Sequence, residues 1–99
     1  MEDGYKIFWT ELALEELKAT FEYLEDRFSE KETQRLAKEI ERITKLISQN
    51  PNLFPLTDKM KVRKVVILRF NSMYYRIEGN QVQILSFFSN RQSPKSMKI

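Results

Sequence analysis

The sequence predicts one α+β domain with the element order β-α-α-β-β-β. An antiparallel helical hairpin is expected to pack on one face of a mostly antiparallel four-stranded sheet. Three observations carry this prediction. Residues 11–48 contain two apolar stripes at helical spacing, residues 62–88 contain three short runs of strand-forming residues, and 99 residues are enough for one two-layer core. We therefore predict a single domain over 1–99 with an ordered core over 5–94.

The first half of the chain predicts one strand and two helices. Residues 5–9 are mostly aromatic or β-branched, which is typical of a strand. Thr10 is placed to cap a helix over 11–28. A second helix over 30–48 ends before Pro51, since the residue that precedes a proline disfavours helical geometry. The predicted core stripes are Ala13, Leu14, Leu17, Phe21, Leu24 and Phe28 in the first helix and Leu36, Ile40, Ile43 and Ile47 in the second.

The second half of the chain predicts three strands, over 62–69, 72–78 and 82–88, after a loop. Gly79 and Asn80 suit the tight turn of a hairpin between the last two strands, because that turn needs positive φ angles. The pairs predicted in this hairpin, all on the face that packs against the helices, are Ile77 with Val82, Tyr75 with Ile84 and Met73 with Ser86. The side chains predicted on the opposite face are Tyr74, Arg76, Gln83, Leu85 and Phe87.

Charge is distributed unevenly along the chain. Residues 1–50 contain 12 acidic and 8 basic side chains, whereas residues 51–99 contain 2 acidic and 9 basic ones. A basic half in so small a domain indicates a working surface for an anionic partner, such as a nucleic acid or an acidic protein.

Two residue types are missing from the sequence, and their absence narrows the chemistry. There is no Cys, which excludes disulfides and thiolate chemistry, and no His, which removes the commonest general base and metal ligand. We therefore predict no metal and no cofactor. No stretch approaches the roughly 20 apolar residues of a membrane span, and residues 1–4 lack the basic and apolar regions of a signal peptide. We expect a cytoplasmic protein without membrane contact.

Four short stretches, taken in order, carry a resemblance to a known family. They are Ile7-Phe8-Trp9-Thr10 with Ala13 and Leu17, then Val62-Arg63-Lys64, then Met73-Tyr74-Tyr75-Arg76-Ile77, and finally Val82-Gln83-Ile84-Leu85 followed by Asn90-Arg91-Gln92-Ser93-Pro94. With this order of elements, roughly residues 5–94 resemble the RelE/ParE family of toxins from bacterial type II toxin–antitoxin systems, also called the plasmid stabilisation protein family.

The resemblance implies a toxin that inhibits bacterial growth and is neutralised by a cognate antitoxin. We predict that it acts by binding an essential target, as ParE members bind DNA gyrase. One alternative is a ribosome-dependent mRNA endonuclease like RelE, whose partners are the ribosome and its message. A second alternative is a degenerate interaction module without toxicity. Family members attack different targets on one fold, so the target and the oligomeric state stay open.

The positions that the family's nuclease residues would occupy disfavour the endonuclease hypothesis. Cleavage by 2′-hydroxyl attack needs a proton acceptor, a proton donor and cationic support for the phosphorane. By the resemblance, the third-strand arginine falls at Asn71 or Ser72, and the histidine before the closing basic pair falls at Ser89. The second member of that pair is Gln92. The catalytic candidates that remain are Arg63, Arg91 and Tyr74.

The other candidate residues are assigned to binding. The residues expected to contact the target or a nucleic acid are Lys61, Arg63, Arg69, Arg76 and Arg91. We expect such exposed cations to contribute little to folding. The residues expected to contact the antitoxin are Leu85 and Phe87, because an apolar pair on an uncovered sheet face marks a partner site.

Overall fold

The computed structural model describes residues 4–90 and confirms the predicted α+β class. Its elements are β1 (Lys6–Trp9), α1 (Glu11–Arg27), α2 (Glu30–Gln49), β2 (Arg63–Ile67), β3 (Asn71–Glu78) and β4 (Gln81–Ser89). The strands form one sheet in the order β1-β4-β3-β2, in which β1 runs parallel to β4 and the other neighbours are antiparallel. Both helices pack on one face of this sheet. Residues 91–94 of the predicted core lie outside the described residues.

The helical hairpin begins and ends within about two residues of the predicted positions, which is the usual uncertainty of helix ends. Thr10 Oγ1 accepts a hydrogen bond from the backbone N of Ala13 at 3.2 Å, so Thr10 caps α1 as predicted. The predicted apolar stripe of α2 is confirmed, since its buried residues are Leu36, Ile40, Ile43 and Ile47. The second helix therefore contributes a continuous apolar face to the core.

The predicted stripe of α1 is only partly correct. Ala13 and Leu24 are buried, but Leu14 is 50% exposed and Phe28 is 47% exposed. One residue along a helix is a rotation of about 100°, which carries Leu14 away from the face that Ala13 presents to the sheet. A polar residue takes a central buried position instead. Thr20 is buried, and its hydroxyl donates to the backbone oxygen of Glu16 at 2.9 Å.

The hairpin of β3 and β4 contains an irregularity that the sequence did not predict. The predicted pairs of Ile77 with Val82 and of Tyr75 with Ile84 are confirmed, but Tyr74 lies opposite Ser86 and Met73 lies opposite Phe87. Leu85 is therefore an extra residue in β4, which is the definition of a β-bulge.

The bulge corrects the predicted direction of Phe87. One extra residue reverses the in-and-out alternation of every later side chain in the strand. Phe87 consequently turns from the uncovered face to the helix-packed face, where it is 1% exposed and belongs to the core. The prediction that Phe87 lies on the uncovered face beside Leu85 is wrong.

Tyr75 is the largest fully buried side chain of the described residues and ties the sheet to the loop after α2. Its hydroxyl donates to the backbone oxygen of Pro51 at 2.8 Å. A buried phenol of this kind is stable only because its polar atom has a partner. Tyr75 therefore both fills the core and holds the start of the loop.

The first strand is pinned to the end of α2. Tyr5 N donates to the backbone oxygen of Ser48 at 2.8 Å, and Ser48 Oγ donates to the backbone oxygen of Tyr5 at 2.7 Å. A Cβ at Gly4 would collide with Ser48 Oγ, so a glycine allows this close approach. These contacts fix the place of β1 beside the hairpin.

We expect the free energy of unfolding to fall as the pH rises above about 10, the ordinary pKa of tyrosine. Burial raises the pKa of the Tyr75 phenol, and the Phe54 backbone and the Arg63 charge only partly offset this effect. The folded state therefore holds this proton more tightly than the unfolded chain. The stability contribution is complete below the unfolded pKa and is lost as the pH rises through the folded pKa. Urea unfolding at a series of pH values up to about 11 measures the slope.

The matched variant for this measurement is Tyr75→Phe. It removes the titrating group and the hydrogen bond to Pro51, which costs about 1 kcal/mol at neutral pH. Its stability should then fall less steeply with pH than that of the wild type. If the free energy of unfolding falls equally steeply with pH in both proteins, folding does not raise the pKa of Tyr75.

Candidate functional site on the open face of the sheet

One face of the sheet is covered by the helices, and we call the other the open face. The strand register places its side chains in rows across the sheet. The rows are Phe8, Gln83 and Arg76, then Ser86, Tyr74 and Lys64, and then Phe88, Ser72 and Val66. Phe8 is 47% exposed and Val66 is 56% exposed, so no element of the described chain covers these rows fully. Tyr74 and Arg76 lie on this face as predicted.

The charge of the open face is positive. Lys64 Nζ lies 5.9 Å from the centroid of the Tyr74 ring, within the range of a cation–π contact. Arg76 Nε donates to Gln83 Oε1 at 3.4 Å, a long hydrogen bond that leaves most of the guanidinium available. Among the rows of the open face, the only carboxylate within residues 4–90 is Glu78 at the exposed end of β3. The face therefore favours an anionic partner.

A groove of about 960 Å³ runs along one side of the open face. The loop before β2 forms one wall, and the sheet forms the other. The lining residues from the sheet include Lys64, Val66, Tyr74, Leu85 and Ser86. Leu85 therefore lies on the open face as predicted, and its predicted contact with the antitoxin stays a prediction.

The loop wall is held against β2 by backbone contacts. Leu56 forms an isolated antiparallel bridge with Arg63, and Thr57 N donates to the backbone oxygen of Val62 at 2.7 Å. Lys64 N donates to the backbone oxygen of Pro55 at 3.1 Å. The loop thus acts as a short extra strand along the first half of β2.

The second half of β2 has a free outer edge. Because alternate residues of a strand direct their polar backbone groups to opposite sides, Val66 shares the outward direction of Lys64. Within the described residues, no backbone hydrogen bond outside the strand ladders involves Val66. An extended peptide has room to pair with this edge beside the groove.

Arg63 lies on a different side of the sheet from Tyr74. It is opposite Tyr75 in the register, and its guanidinium turns to the loop after α2. Arg63 Nη1 donates to the backbone oxygen of Phe54 at 2.7 Å and to that of Asn52 at 3.4 Å, and Nη2 donates to Asn52 Oδ1 at 3.0 Å. The structure therefore gives Arg63 a role in holding the loop, and its predicted role in catalysis or target binding stays a prediction.

We expect Arg63→Ala to lower the free energy of unfolding by about 1–3 kcal/mol, because the loop loses its charged hydrogen-bond donors. This replaces the expectation that exposed cations contribute little to folding. Arg63→Lys keeps the charge but has no planar guanidinium that can bond Phe54 and Asn52 at the same time. We therefore expect Arg63→Lys to lose part of this stabilisation. Thermal unfolding of both variants beside the wild type measures it. If Arg63→Ala melts at the same temperature as the wild type, Arg63 contributes little to folding, as first expected of an exposed cation.

The other predicted basic residues are not gathered into one cluster. Lys61 precedes β2 and Arg69 follows it, so the whole 5-residue strand, roughly 16 Å long at the usual rise, lies between them. Both adopt left-handed backbone angles, with φ of 57° and 68°. The Arg69 guanidinium lies 5.8 Å from the centroid of the Phe70 ring. Arg91 lies outside the described residues, so its predicted roles stay predictions.

The positions that correspond to nuclease residues differ in their surroundings. Asn71 is 6% exposed, and its Nδ2 donates to the backbone oxygen of Ile67 at 3.0 Å, so its side chain is engaged away from the open face. Ser89 is also buried, whereas Ser72 lies on the open face between Val66 and Phe88. On the open face, the position that would correspond to the family's third-strand arginine is therefore occupied by Ser72, which carries only a small hydroxyl side chain.

Several contributors to the open face were absent from the predicted site, namely Phe8, Lys64, Val66 and Phe88. Strand alternation would have found Lys64 once its pairing with Tyr74 was known. Phe8 needed the parallel pairing of β1 with β4, which joins residues more than 70 positions apart. No local pattern signals such a pairing.

Two negative findings apply to the described part of the chain. No helix within residues 4–90 is long and apolar enough to cross a membrane. The same residues contain no group of three or more side chains suited to hold a metal ion. The predicted localisation and the predicted lack of a cofactor stay predictions.

The fold and the open face define a class of protein, a small α+β domain with a helical hairpin on one side of the sheet and a cationic surface on the other. A family model described as the ParE toxin of the type II toxin–antitoxin system parDE matches residues 7–94. The chain therefore belongs to the ParE toxin family of type II toxin–antitoxin systems, which confirms the resemblance found in the sequence.

Two solved structures share this fold. One is described as the chromosomal ParDE toxin–antitoxin system from P. aeruginosa. It has a TM-score of 0.72 at 20% sequence identity, and the match covers 86% of this chain and 95% of that chain. Another, the YoeB dimer from Staphylococcus aureus, has a TM-score of 0.59 at 16% identity and covers 85% and 94%. No curated protein matched the chain.

Proposed function

We propose that this toxin inhibits growth by binding an essential target, with DNA gyrase as the first candidate, and that a cognate antitoxin neutralises it. The single observation that carries the proposal is the chemistry of the open face. It places Lys64 and Arg76 around Tyr74, with Glu78 at the exposed end of β3 and Asp58 in the loop that lines the groove. This arrangement suits attraction to an acidic protein surface, and it supplies little for proton transfer.

The antitoxin is proposed to occupy the groove beside β2. An extended segment would pair with the free edge at Val66, and the chain continuing from it across the groove would place an apolar side chain against Leu85. Lys64 lines the same groove, so acidic residues in the segment would gain a cationic partner. Phe87 is not part of this proposal, because it is buried in the core.

Induction of the chain in growing bacteria tests the proposal. We expect growth to stop, DNA supercoiling to change and the pattern of mRNA ends to stay normal. Co-expression of the product of the adjacent gene should restore growth. Arrest with unchanged supercoiling would remove gyrase, and normal growth would favour the degenerate interaction module.

The cations of the open face provide a graded test. We expect Arg76→Ala and Lys64→Ala to weaken target binding, and the affinity of the wild type to fall as salt rises, because exposed charges act over screened distances. The free energy of unfolding should change by no more than about 0.5 kcal/mol. Binding curves at two salt concentrations and thermal unfolding measure both quantities.

The control for this series is Lys38→Ala, which removes an exposed cation from α2 on the other side of the molecule. It should leave the affinity and its salt dependence unchanged. If Lys38→Ala weakens binding as much as Arg76→Ala does, the open face is not the binding surface.

A further inference from the structure

The bulge in β4 lies where that strand loses its neighbour. The parallel pairing with β1 ends at Trp9 opposite Ile84, while β4 continues to Ser89. On the side where β1 ends, the polar backbone groups of β4 have no strand beside them beyond this point and need other partners, while β3 still pairs with the other side. The first turns of α1 supply those partners.

Two side chains of α1 and its cap hold the bulge from the helix side. Thr10 Oγ1 donates to the backbone oxygens of Ile84 at 2.9 Å and Leu85 at 3.3 Å. Glu16 Oε1 accepts from Phe87 N at 2.9 Å and from Ser86 Oγ at 2.8 Å. Glu16 is half-buried, so one carboxylate oxygen satisfies both donors that follow the extra residue.

The residue between these two anchors is Leu85, which lines the groove on the open face. Its place on that face depends on the bulge, because without the extra residue Leu85 would lie opposite Tyr74, in the position that Ser86 now holds. Ser86, which Glu16 holds directly, lines the same groove. The Glu16 carboxylate on α1 thus holds Ser86, a residue that lines the groove on the opposite face of the sheet.

We propose that Glu16 is a positioning residue of the partner groove, which holds the bulge so that Leu85 is presented to an apolar side chain of the antitoxin segment. This inference rests on the proposed function for the identity of the partner. Glu16 touches neither the target nor the antitoxin, and acts through Ser86 and Phe87.

The free chain tests the positioning role without any partner. In Glu16→Ala we expect the Phe87 amide to exchange its hydrogen at least about tenfold faster than in the wild type, and the Leu85 methyl resonances to move. Glu16→Gln keeps a side-chain oxygen that accepts both hydrogen bonds, so the exchange rate of its Phe87 amide should stay within about threefold of the wild-type rate. The Ile43 amide in α2 serves as the reference for global opening. Unchanged Phe87 exchange and Leu85 resonances in Glu16→Ala would overturn the proposal.

A double-mutant cycle tests whether the effect on a partner passes through Leu85. The probe is the purified product of the adjacent gene, titrated at a temperature at which every variant is folded. We expect Glu16→Ala to weaken its binding about tenfold or more, and Glu16→Gln to restore the affinity. In a Leu85→Ala background, Glu16→Ala should weaken binding by less than about twofold further, since coupled residues are not additive.

The possible failures separate the inference from the proposed function. Equal affinity of the wild type and Glu16→Ala, or equal losses in both backgrounds, would overturn the role of Glu16 alone. A wild-type chain that does not bind the probe would overturn the antitoxin part of the proposed function. In that case the exchange of the Phe87 amide still decides whether Glu16 holds the bulge.

Discussion

Replacement of Phe87 by alanine is expected to lower the free energy of unfolding by about 3–5 kcal/mol, which is typical of a buried phenylalanine. Phe87 is 1% exposed and lies opposite Met73 in the centre of the core. The loss combines the transfer of the ring out of the core with the cavity that the rigid sheet leaves behind. Chemical unfolding of the variant and the wild type measures it.

The matched control is Phe8→Ala, because Phe8 is 47% exposed on the open face. It should cost about 1 kcal/mol or less. The two substitutions together test the bulge at Leu85, since without it Phe87 would share the open face with Phe8. Similar small losses for both variants would mean that the regular alternation predicted from the sequence was correct after all.

Purified ribosomes programmed with a defined message are expected to show no cleavage above background when this protein is added. General acid–base catalysis contributes about 10²–10⁴-fold for each role, so missing partners reduce the rate by orders of magnitude. The sequence contains no His, and Asn71 is buried with its amide bonded to Ile67. An arginine cannot serve as a base near neutral pH. Primer extension maps the message ends.

The control for this experiment is a RelE-type nuclease on the same ribosomes, which must produce cuts. The proposal of a binding toxin would be overturned if this chain gave strong cuts in the ribosomal A site that Tyr74→Phe or Arg91→Ala abolished. Lys64 would then be the first residue to examine as a proton acceptor, because it lies beside Tyr74. Cuts that survive all such substitutions would indicate a contaminating nuclease.

Much of the architecture follows from short-range patterns in the sequence. The stripe of α2 repeats at helical spacing and is buried at every predicted position. Thr10 caps α1 because its side chain acts on an amide only three residues away. Gly79 adopts a φ of 63° in the turn between β3 and β4, as a tight hairpin requires. In each case the cause and its effect are neighbours in the chain.

Part of the candidate site was also predictable. Tyr74 and Arg76 follow strict alternation in β3, and both lie on the open face. Leu85 lies in the groove, although it arrives there as the extra residue of a bulge. Arg63 differs because its direction depends on which groups the loop after α2 offers, and those are the backbone oxygens of Phe54 and Asn52.

The sequence by itself determined the element order, the buried stripe of the second helix, the basic character of the second half and the family. Only the tertiary structure decided which face Phe87 occupies, what Arg63 holds and how Glu16 reaches the sheet. The physical reason is the range of the interactions. Glu16 bonds the Phe87 amide across 71 positions of sequence, next to a bulge that shifts the alternation of a whole strand end. A sequence pattern cannot predict this hydrogen bond, because the donor and the acceptor meet only after the helices and the sheet have packed.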